Sequence, residues 1–310
     1  MFTRLCVFAA LILAMALPAA PAAADTWQHE NGSLTLEQPP KRIITLNWAA
    51  TEAALLLGVT PVGVADLQGY HHWVRQPALP EEGVANVGTR VAPSLEAIAE
   101  LEPDLIVTSA EMAPAASLLE RIAPTYVISV YRPDINAFEQ ARKMLLTLGD
   151  MLDRREQAEA VLADIEQTLE HERARLEQAD LQGRPVALVN FLDARHVRVH
   201  APNGLYQTAL DALGLDNAWP HDGNFWGFSV VGLEALADHR NARLIAISPT
   251  PPGLRDTLAD SPFWTYLPAA QRNQVYQIDP VWPFGGAYQV KRLANYLTDA
   301  LLAGGSDNVE

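Results

Sequence analysis

Residues 42–48 read RIITLNW, and the apolar run Ile43–Leu46 within them has the β-branched content of a short buried strand. Thr51–Leu57 is predicted to be a helix and Val62–Ala65 a second strand. The same alternation continues with helices at 95–101 and 118–122 and with strands at 105–108 and 126–130. Strands that alternate with helices predict a mostly parallel sheet that is covered on both faces.

A helical segment between residues 135 and about 181 interrupts this alternation, with a predicted break near Gly149. Beyond the break, apolar residues recur at helical spacing along an otherwise charged stretch: Ala158, Val161, Leu162, Ile165 and Leu169. A helix over about residues 154–176 would be about 35 Å long at 1.5 Å per residue, about one domain diameter. The pattern predicts a long helix that lies across two lobes and joins them.

The α/β alternation resumes after Pro185. Strands are predicted at 186–191, 197–199, 244–248 and 275–278, and a helix near 205–213. We therefore predict an α/β fold of two lobes joined by a long helix. The predicted limits are 25–134 for the N-terminal lobe, 135–182 for the helical segment and 183–310 for the C-terminal lobe.

The composition excludes several classes of protein. The 310 residues carry 22 Lys and Arg against 37 Asp and Glu, a formal charge of −15, and no basic run offers the footprint that nucleic-acid binding requires. The one cysteine, Cys6, excludes a disulfide framework and a thiolate metal cluster in the folded part. No phosphate-binding loop, dinucleotide fingerprint or nucleophile elbow follows a strand, so no motif argues for an enzyme.

Residues 1–24 have the pattern of a secretory signal peptide. Arg4 provides the positive start, Leu5–Leu17 form an apolar stretch too short to span a bilayer, and Ala22–Ala24 fit a cleavage site. Cys6 lies at the start of the apolar stretch and not after it, so it cannot be the acylated cysteine of a lipoprotein. Removal of the segment takes away Arg4 and no acid, leaving 21 basic against 37 acidic residues, or −16. The sequence predicts a soluble monomer in a bacterial periplasm, with no membrane span.

Tryptophans from both halves of the chain lie in or beside loops rich in Gly, Pro, Asn or His. These residues are Trp48, Trp73, Trp219, Trp226 and Trp282. Any one of them could simply cap a core. Together they suggest a shared aromatic cleft, because loops at the carboxyl ends of parallel strands converge on the ligand site of open α/β folds.

Charged and histidine side chains give weaker signals. Arg90 is one of three cationic residues between Ile43 and Val130, and it is either an ordinary surface charge or a clamp for anionic ligand oxygens. The histidines lack a specific metal-ligand spacing, so no metal site is predicted at His71, His72, His196, His200 or His221.

The two halves of the chain echo each other. LEAIAE at 95–100, before a strand at 105–108, aligns with LEALAD at 233–238, before a strand at 244–248. The echo is either a coincidence between two ordinary helix-to-strand units or a sign of related lobes. In the second case each lobe carries an acidic residue at an equivalent place, Glu96 and Glu234.

Several phrases together resemble the periplasmic binding proteins of iron-siderophore ABC importers. The general ones are RIITLNW at 42–48 with Glu52, GVTPVGVAD at 58–66, VGTR at 87–90 and PDLI at 103–106. The likeness narrows to the ferric-hydroxamate, ferrichrome-type members through DARH at 193–196, NAW at 217–219, NFWG at 224–227 and VW at 281–282. The match covers essentially the whole mature chain in order.

The resemblance implies two α/β lobes joined by a rigid helix, with a ferric siderophore in a shallow cleft between them. By position, Arg90 corresponds to the arginine that bonds the iron-bound hydroxamate oxygens. Aromatic positions around the cleft fall on Trp73, Trp219, Trp226 and Trp282, with Trp48 as a further candidate. Glu96 and Glu234 correspond to the lobe-surface acids that dock onto arginines of an inner-membrane ABC permease.

Two positions depart from the family pattern. Met112 stands where the family's tyrosine donates a hydrogen bond to the hydroxamate, with an acid, Glu111, beside it. Phe284 stands where the hydroxamate binders have another tyrosine. The loss of two phenolic hydroxyls leaves the predicted cleft more apolar and puts the ligand class in question.

The functional prediction is a non-enzymatic protein, without a resident cofactor or metal, that captures a ferric siderophore of hydroxamate type for an ABC permease. One alternative is the same fold binding another metal chelate, namely a catecholate or citrate-type siderophore, haem or a cobalamin. A more remote alternative is a secreted hydrolase on an α/β scaffold.

Overall fold

The computed structural model describes residues 24–309, and the predicted signal peptide therefore lies outside the described residues except for Ala24. The N-terminal lobe contains, in chain order, β1 (Asp25–His29), β2 (Gly32–Leu36), β3 (Ile43–Thr45), α1 (Trp48–Leu56), β4 (Gly63–Val64), α2 (Leu67–Gly69), β5 (Ala85–Asn86), α3 (Leu95–Glu100), β6 (Leu105–Thr108), α4 (Ala116–Leu119) and β7 (Thr125–Val127). β1 and β2 form an antiparallel hairpin, and the other strands form one parallel sheet in the order β5-β4-β3-β6-β7.

The centre of this sheet is β3, which confirms the parallel sheet predicted from residues 42–48. All three of its residues are buried, because strands in a doubly covered parallel sheet expose neither face. The chain then turns directly into α1, whose N-cap Asn47 accepts a hydrogen bond from Ala50 N at 2.8 Å. Trp48, the first residue of α1, is thereby fixed at the carboxyl end of the sheet.

The C-terminal lobe contains β8 (Val186–Phe191), β9 (His196–His200), α7 (Leu205–Leu213), β10 (Phe228–Gly232), β11 (Arg243–Ile247), α8 (Leu254–Ala259), α9 (Pro262–Thr265), α10 (Pro268–Gln271), β12 (Val275–Ile278) and α11 (Tyr288–Ala303). The sheet order is β10-β9-β8-β11-β12. β8, β11 and β12 are parallel, whereas β9 and β10 run antiparallel to their neighbours. Only four residues separate β8 from β9, too few for a crossover helix, so the two strands form a hairpin.

Two helices connect the lobes, α5 (Ala137–Met151) and α6 (Arg155–Gln178). The break between them lies at residues 152–154, just after the predicted position. At 24 residues, α6 is about 36 Å long, and its apolar stripe is buried in a core that also contains Ile43 from one sheet and Val186 from the other. The predicted long helix between two α/β lobes is confirmed.

The C-terminal helix α11 ties the lobes together a second time, through buried polar groups. Glu52 of α1 accepts hydrogen bonds from Gln289 Nε2 at 2.6 Å and from Tyr288 N at 3.1 Å. Arg292 donates to the Val74 and Pro280 carbonyls, at 2.6 and 2.9 Å. Burial raises the pKa of Glu52 to about 7, against the opposing effect of these hydrogen bonds.

Within residues 24–309, every helix is too short or too polar to cross a membrane.

Candidate functional site

A cavity of about 380 Å³ lies where the loops of the two lobes meet. The N-terminal lobe lines it with Leu46, Asn47, Trp48, Ala49, Arg90, Val91, Ser109, Glu111, Ile128, Ser129, Val130 and Tyr131. The C-terminal lobe contributes Arg198, Trp226, Phe228, Trp282 and Phe284. Several of the N-terminal positions directly follow β3, β6 and β7, as expected for loops at the carboxyl ends of parallel strands.

Aromatic rings from both lobes form one wall of the cavity. The Trp282 ring centroid lies 4.8 Å from that of Trp48 and 5.1 Å from that of Phe284, both in edge-to-face geometry. Trp226 continues the wall at 5.5 Å from Phe284. Such pairs are the favoured arrangement for aromatic quadrupoles, so the wall is held in place before any ligand arrives.

Hydrogen bonds fix the aromatic wall from behind. Trp48 is 3% exposed, and its indole Nε1 donates to the Ala65 carbonyl at 3.1 Å. The Tyr131 hydroxyl donates to the Pro283 carbonyl at 2.8 Å and accepts from Leu205 N at 3.1 Å, so it bridges the two lobes beneath Phe284. Burial raises the pKa of Tyr131, which therefore remains a neutral phenol.

Arg90 enters the cavity from the loop after β5. Its guanidinium carbon lies 3.9 Å from the Trp48 ring centroid and 5.4 Å from that of Trp282. Its Nε is 3.6 Å from Asp66 Oδ2, an ion-pair distance that is too long for a hydrogen bond. Among the described residues this buried Nε has no hydrogen-bond acceptor, so Arg90 can still donate to a ligand.

The loop that carries Arg90 depends on Gly88. This residue has φ +94°, and a Cβ there would lie 2.9 Å from Ser94 N. Ser94 N donates to the Val87 carbonyl and closes the loop, while Ser94 Oγ caps α3. A side chain at Gly88 would strain the backbone and move Arg90 away from the aromatic wall.

Arg198 is a second cavity arginine and was not among the predicted site residues. It lies in the middle of β9, with its guanidinium carbon 4.4 Å from the Phe228 ring centroid and 5.9 Å from that of Phe284. Its Nε is buried without an acceptor in the described part of the chain, and burial lowers the pKa of its guanidinium. The signal was present in the sequence: Arg198 stands between Val197 and Val199, so its side chain projects from the opposite face of the strand.

The structure brings together most, but not all, of the predicted ligand contacts. Those that line the cavity are Trp48, Arg90, Trp226, Trp282 and Phe284. Trp73 lies at its edge, 37% exposed and with its ring centroid 6.1 Å from that of Trp282. Met112 is buried and does not line the cavity, whereas its neighbour Glu111 does. Trp219 is packed in the C-terminal core beside His221 and His239, also away from the cavity.

The two predicted docking acids lie outside the cavity, one on each lobe. Glu96 is exposed in the first turn of α3. Glu234 is exposed in the first turn of a 3₁₀ segment at Leu233–Asp238. Each acid therefore sits near the amino end of a short helical segment on its own lobe, as the internal echo of the sequence suggested.

His200, one of the histidines considered as metal ligands, is part of the buried structure of the C-terminal lobe. His200 is buried, and its Nε2 donates to Asn190 Oδ1 at 2.8 Å. Burial, and secondarily the charge of Arg198, lowers the pKa of His200 to about 3, so its imidazole is neutral. In the part of the chain that the structure describes, no three His, Cys, Asp or Glu side chains are grouped to hold a metal ion.

The chain is similar in sequence to known binding proteins. A family model described as periplasmic binding protein matches residues 43–281. The iron(3+)-hydroxamate-binding protein FhuD of Escherichia coli is 32% identical over 262 residues, which cover 84% of this chain and 87% of that protein. The Fe(3+) dicitrate-binding periplasmic protein FecB of the same organism is 28% identical, covering 93% and 92%.

A solved structure of a siderophore binding protein has a similar fold. The siderophore binding protein FhuD from Vibrio cholerae, with bound Fe3+-Desferal, has a TM-score of 0.81 to this chain at 29% identity. The similarity covers 86% of this chain and 99% of that one. The chain belongs to the family of periplasmic binding proteins.

Proposed function

We propose that this binding protein captures a ferric siderophore of hydroxamate type in the cleft between its lobes and delivers it, in the periplasm, to an inner-membrane ABC permease. The observation that carries the proposal is the pair Arg90 and Arg198, one from each lobe, each stacked on an aromatic ring and each with an Nε free of protein acceptors among the described residues. The relatives that bind ferric hydroxamates support the ligand class.

The chemistry of a ferric hydroxamate fits this cavity. The donor oxygens around Fe3+ carry negative charge, and a guanidinium presents a planar fork of donors to such oxygens. The alkyl backbone of a siderophore is apolar and can lie against Trp48, Trp282 and Phe284. Because Met112 and Trp219 do not line the cavity, the proposed contacts leave them out, and Trp73 is assigned to the part of the ligand that protrudes.

Delivery is assigned to Glu96 and Glu234. Both are exposed, they lie on different lobes, and neither lines the cavity, so they can meet a basic permease surface without touching the ligand. Charges of this kind steer and orient a complex more than they add affinity.

A second ligand class is favoured by one observation. Two arginines without the family's tyrosine hydroxyls suit carboxylate oxygens as well as hydroxamate oxygens, and a relative at 28% identity binds ferric dicitrate. A citrate-type ferric chelate is therefore the alternative ligand for the same cleft.

The test is quenching of tryptophan fluorescence in the mature protein by a panel of ferric chelates, with each iron-free chelator as a control. We expect saturable quenching by a ferric hydroxamate at about micromolar concentration, equivalent to about −8 kcal/mol, because three tryptophans line the cavity. Flat titrations with every hydroxamate, beside saturation by ferric dicitrate, would replace the proposed ligand with the alternative. Recovery of the unaltered chelate after incubation separates capture from hydrolysis.

A further inference from the structure

Glu111 is an unexplained acidic group in the cavity. It lies in the 3₁₀ segment Ala110–Ala115 that follows β6, and its side chain is exposed to the cavity. No residue within 24–309 forms an ion pair or hydrogen bond with its carboxylate. The nearby Glu30 is different, because it accepts from Ser129 N and Ser129 Oγ, both at 2.9 Å, and pairs with Arg132. Glu111 therefore has no structural partner in the described part of the chain.

The carboxylate of Glu111 does not suit the iron centre of the proposed ligand. The other charged residues that line the cavity are Arg90 and Arg198, which suit anionic oxygens. A carboxylate beside those oxygens would repel them. It is compatible with the ligand only where the ligand is neutral or positively charged.

The surroundings of Glu111 suit an alkyl arm that ends in a cation. The segments after β6 and β7 adjoin, since Ala110 N donates to Ser129 Oγ at 2.9 Å. Together they contribute Glu111 and Ser129 to the cavity lining, along with the nearly buried Ile128 and Val130. The same cavity is lined by the apolar rings of Trp48, Trp282 and Phe284, and an apolar lining that carries a free carboxylate accommodates methylene groups followed by an ammonium.

We propose that Glu111 is a specificity residue that selects siderophores with a protonated primary amine on an alkyl arm. The inference rests on the proposed capture of ferric hydroxamates and adds a subsite to it. A primary amine of this kind has a pKa near 10 and is charged at neutral pH. The Glu111 carboxylate would bind the ammonium while Arg90 and Arg198 hold the iron-bound oxygens.

The test compares two ligands that differ at one end: Fe3+-Desferal, a linear trihydroxamate that ends in a primary amine, and the same complex acetylated at that amine, which removes the positive charge and adds a small neutral group. We expect the unmodified protein to bind the amine form about fivefold more tightly, in the range of a partly exposed ion pair. Glu111→Gln should bring the two affinities within about twofold by weakening the amine form alone. Glu120→Gln, an exposed acid outside the cavity, is the matched control and should keep the preference.

A charge reversal gives an independent readout. Glu111→Lys should bind the N-succinylated complex, which ends in a carboxylate, more tightly than the amine form. An unmodified protein that binds the amine and acetyl forms equally would overturn the amine subsite while leaving the capture of ferric hydroxamates in place. Absence of quenching by either complex would overturn the capture proposal and the subsite together.

Discussion

Each lobe places one arginine over an aromatic ring in the cleft, but the two arginines have different surroundings. Arg90 comes from a loop, its side chain is 39% exposed, and Asp66 stands 3.6 Å away. Arg198 comes from the middle of a strand, is half-buried, and has no carboxylate within ion-pair distance among residues 24–309. Both guanidinium groups lie over aromatic rings, at 3.9 Å for Arg90 and 4.4 Å for Arg198.

The different surroundings of the two arginines set how strongly each lobe can bind an anionic ligand. A charge interacts more strongly where water is excluded, so the field of Arg198 is less screened than that of Arg90. The carboxylate of Asp66 also offsets part of the charge of Arg90. We therefore expect the C-terminal lobe to supply the stronger anchor for anionic oxygens, and the N-terminal lobe the weaker, adjustable one.

The first prediction separates the arginines that we propose to bind the ligand from the acids that we propose to dock on the permease. Glu96→Arg combined with Glu234→Arg should abolish ligand-stimulated ATP hydrolysis by the reconstituted importer. Siderophore affinity in solution should stay unchanged, because neither residue lines the cavity. Exposed pairs are individually worth less than about 1 kcal/mol, so each single reversal should give only a partial loss. Wild-type stimulation by the double variant would show that these acids are ordinary solvated residues.

The next effect ranks the two arginines directly. Arg198→Ala should weaken binding of the ferric hydroxamate by about a hundredfold and Arg90→Ala by about tenfold, the upper and lower parts of the range for charge-assisted hydrogen bonds. Fluorescence titration measures both, with thermal melting to confirm folding. Arg195→Ala and Arg121→Ala, exposed arginines of the same lobes, serve as controls and should change neither affinity. The reverse ranking would contradict the argument from burial.

Local sequence patterns predicted much of this architecture. Three strands have the predicted bounds, β6, β8 and β12, and α6 begins and ends within two residues of its prediction. These elements carry their own periodicity, apolar runs for buried strands and a stripe for the helix. The antiparallel strand β10 and the C-terminal helix α11 were not predicted. β10 depends on its pairing with β9, whereas α11 carries a local apolar stripe at helical spacing that could have identified it: Val290, Leu293, Ala294, Leu297 and Leu301.

The site was harder to predict than the fold. The alternation Val197-Arg198-Val199 shows that Arg198 projects from the other face of its strand, but its ring partners Phe228 and Phe284 are 30 and 86 residues further along the chain, so the local pattern does not show that this face lines a cavity. Position in a family pattern singled out Met112 as a departure, but the 3₁₀ segment directs Glu111, and not Met112, to the cavity. Trp219 shares the loop setting of the other tryptophans and is nevertheless part of a core.

The third prediction concerns the buried groups that fix each lobe. Glu52 has its pKa raised to about 7 in the fold, above its ordinary 4.5, so the folded state holds its proton more tightly and stability falls as pH rises from 4.5 to 7. His200 has its pKa lowered to about 3, below 6.5, so the unfolded state takes up the proton and stability falls as pH drops below 6.5. Between pH 5 and 6.5 the two slopes oppose each other.

Substituting Glu52 or His200 by glutamine separates their contributions to the pH dependence of stability. From pH 5 to 6.5, the free energy of unfolding of Glu52→Gln relative to wild type should rise by about 2 kcal/mol. That of His200→Gln relative to wild type should fall by about 2 kcal/mol over the same range. Urea denaturation at each pH measures both, and comparison with wild type cancels the other titrating groups. Parallel pH profiles for either variant and the wild type would mean that the substituted group does not titrate differently on folding.

A last, modest effect tests why we expect Arg90 to bind the ligand more weakly than Arg198. Asp66→Asn should tighten ferric hydroxamate binding about threefold, because the pair is partly exposed and its charge is screened. Asparagine can still accept the hydrogen bond from Gly69 N and tolerates the left-handed φ of +54° at this position, so the loop should keep its shape. Asp279→Asn is the matched control, since Asp279 stands 3.7 Å from Arg75 in a comparable ion pair outside the cavity. If Asp66→Asn leaves the affinity unchanged, the carboxylate does not weaken Arg90, and burial alone accounts for any difference between the two arginines.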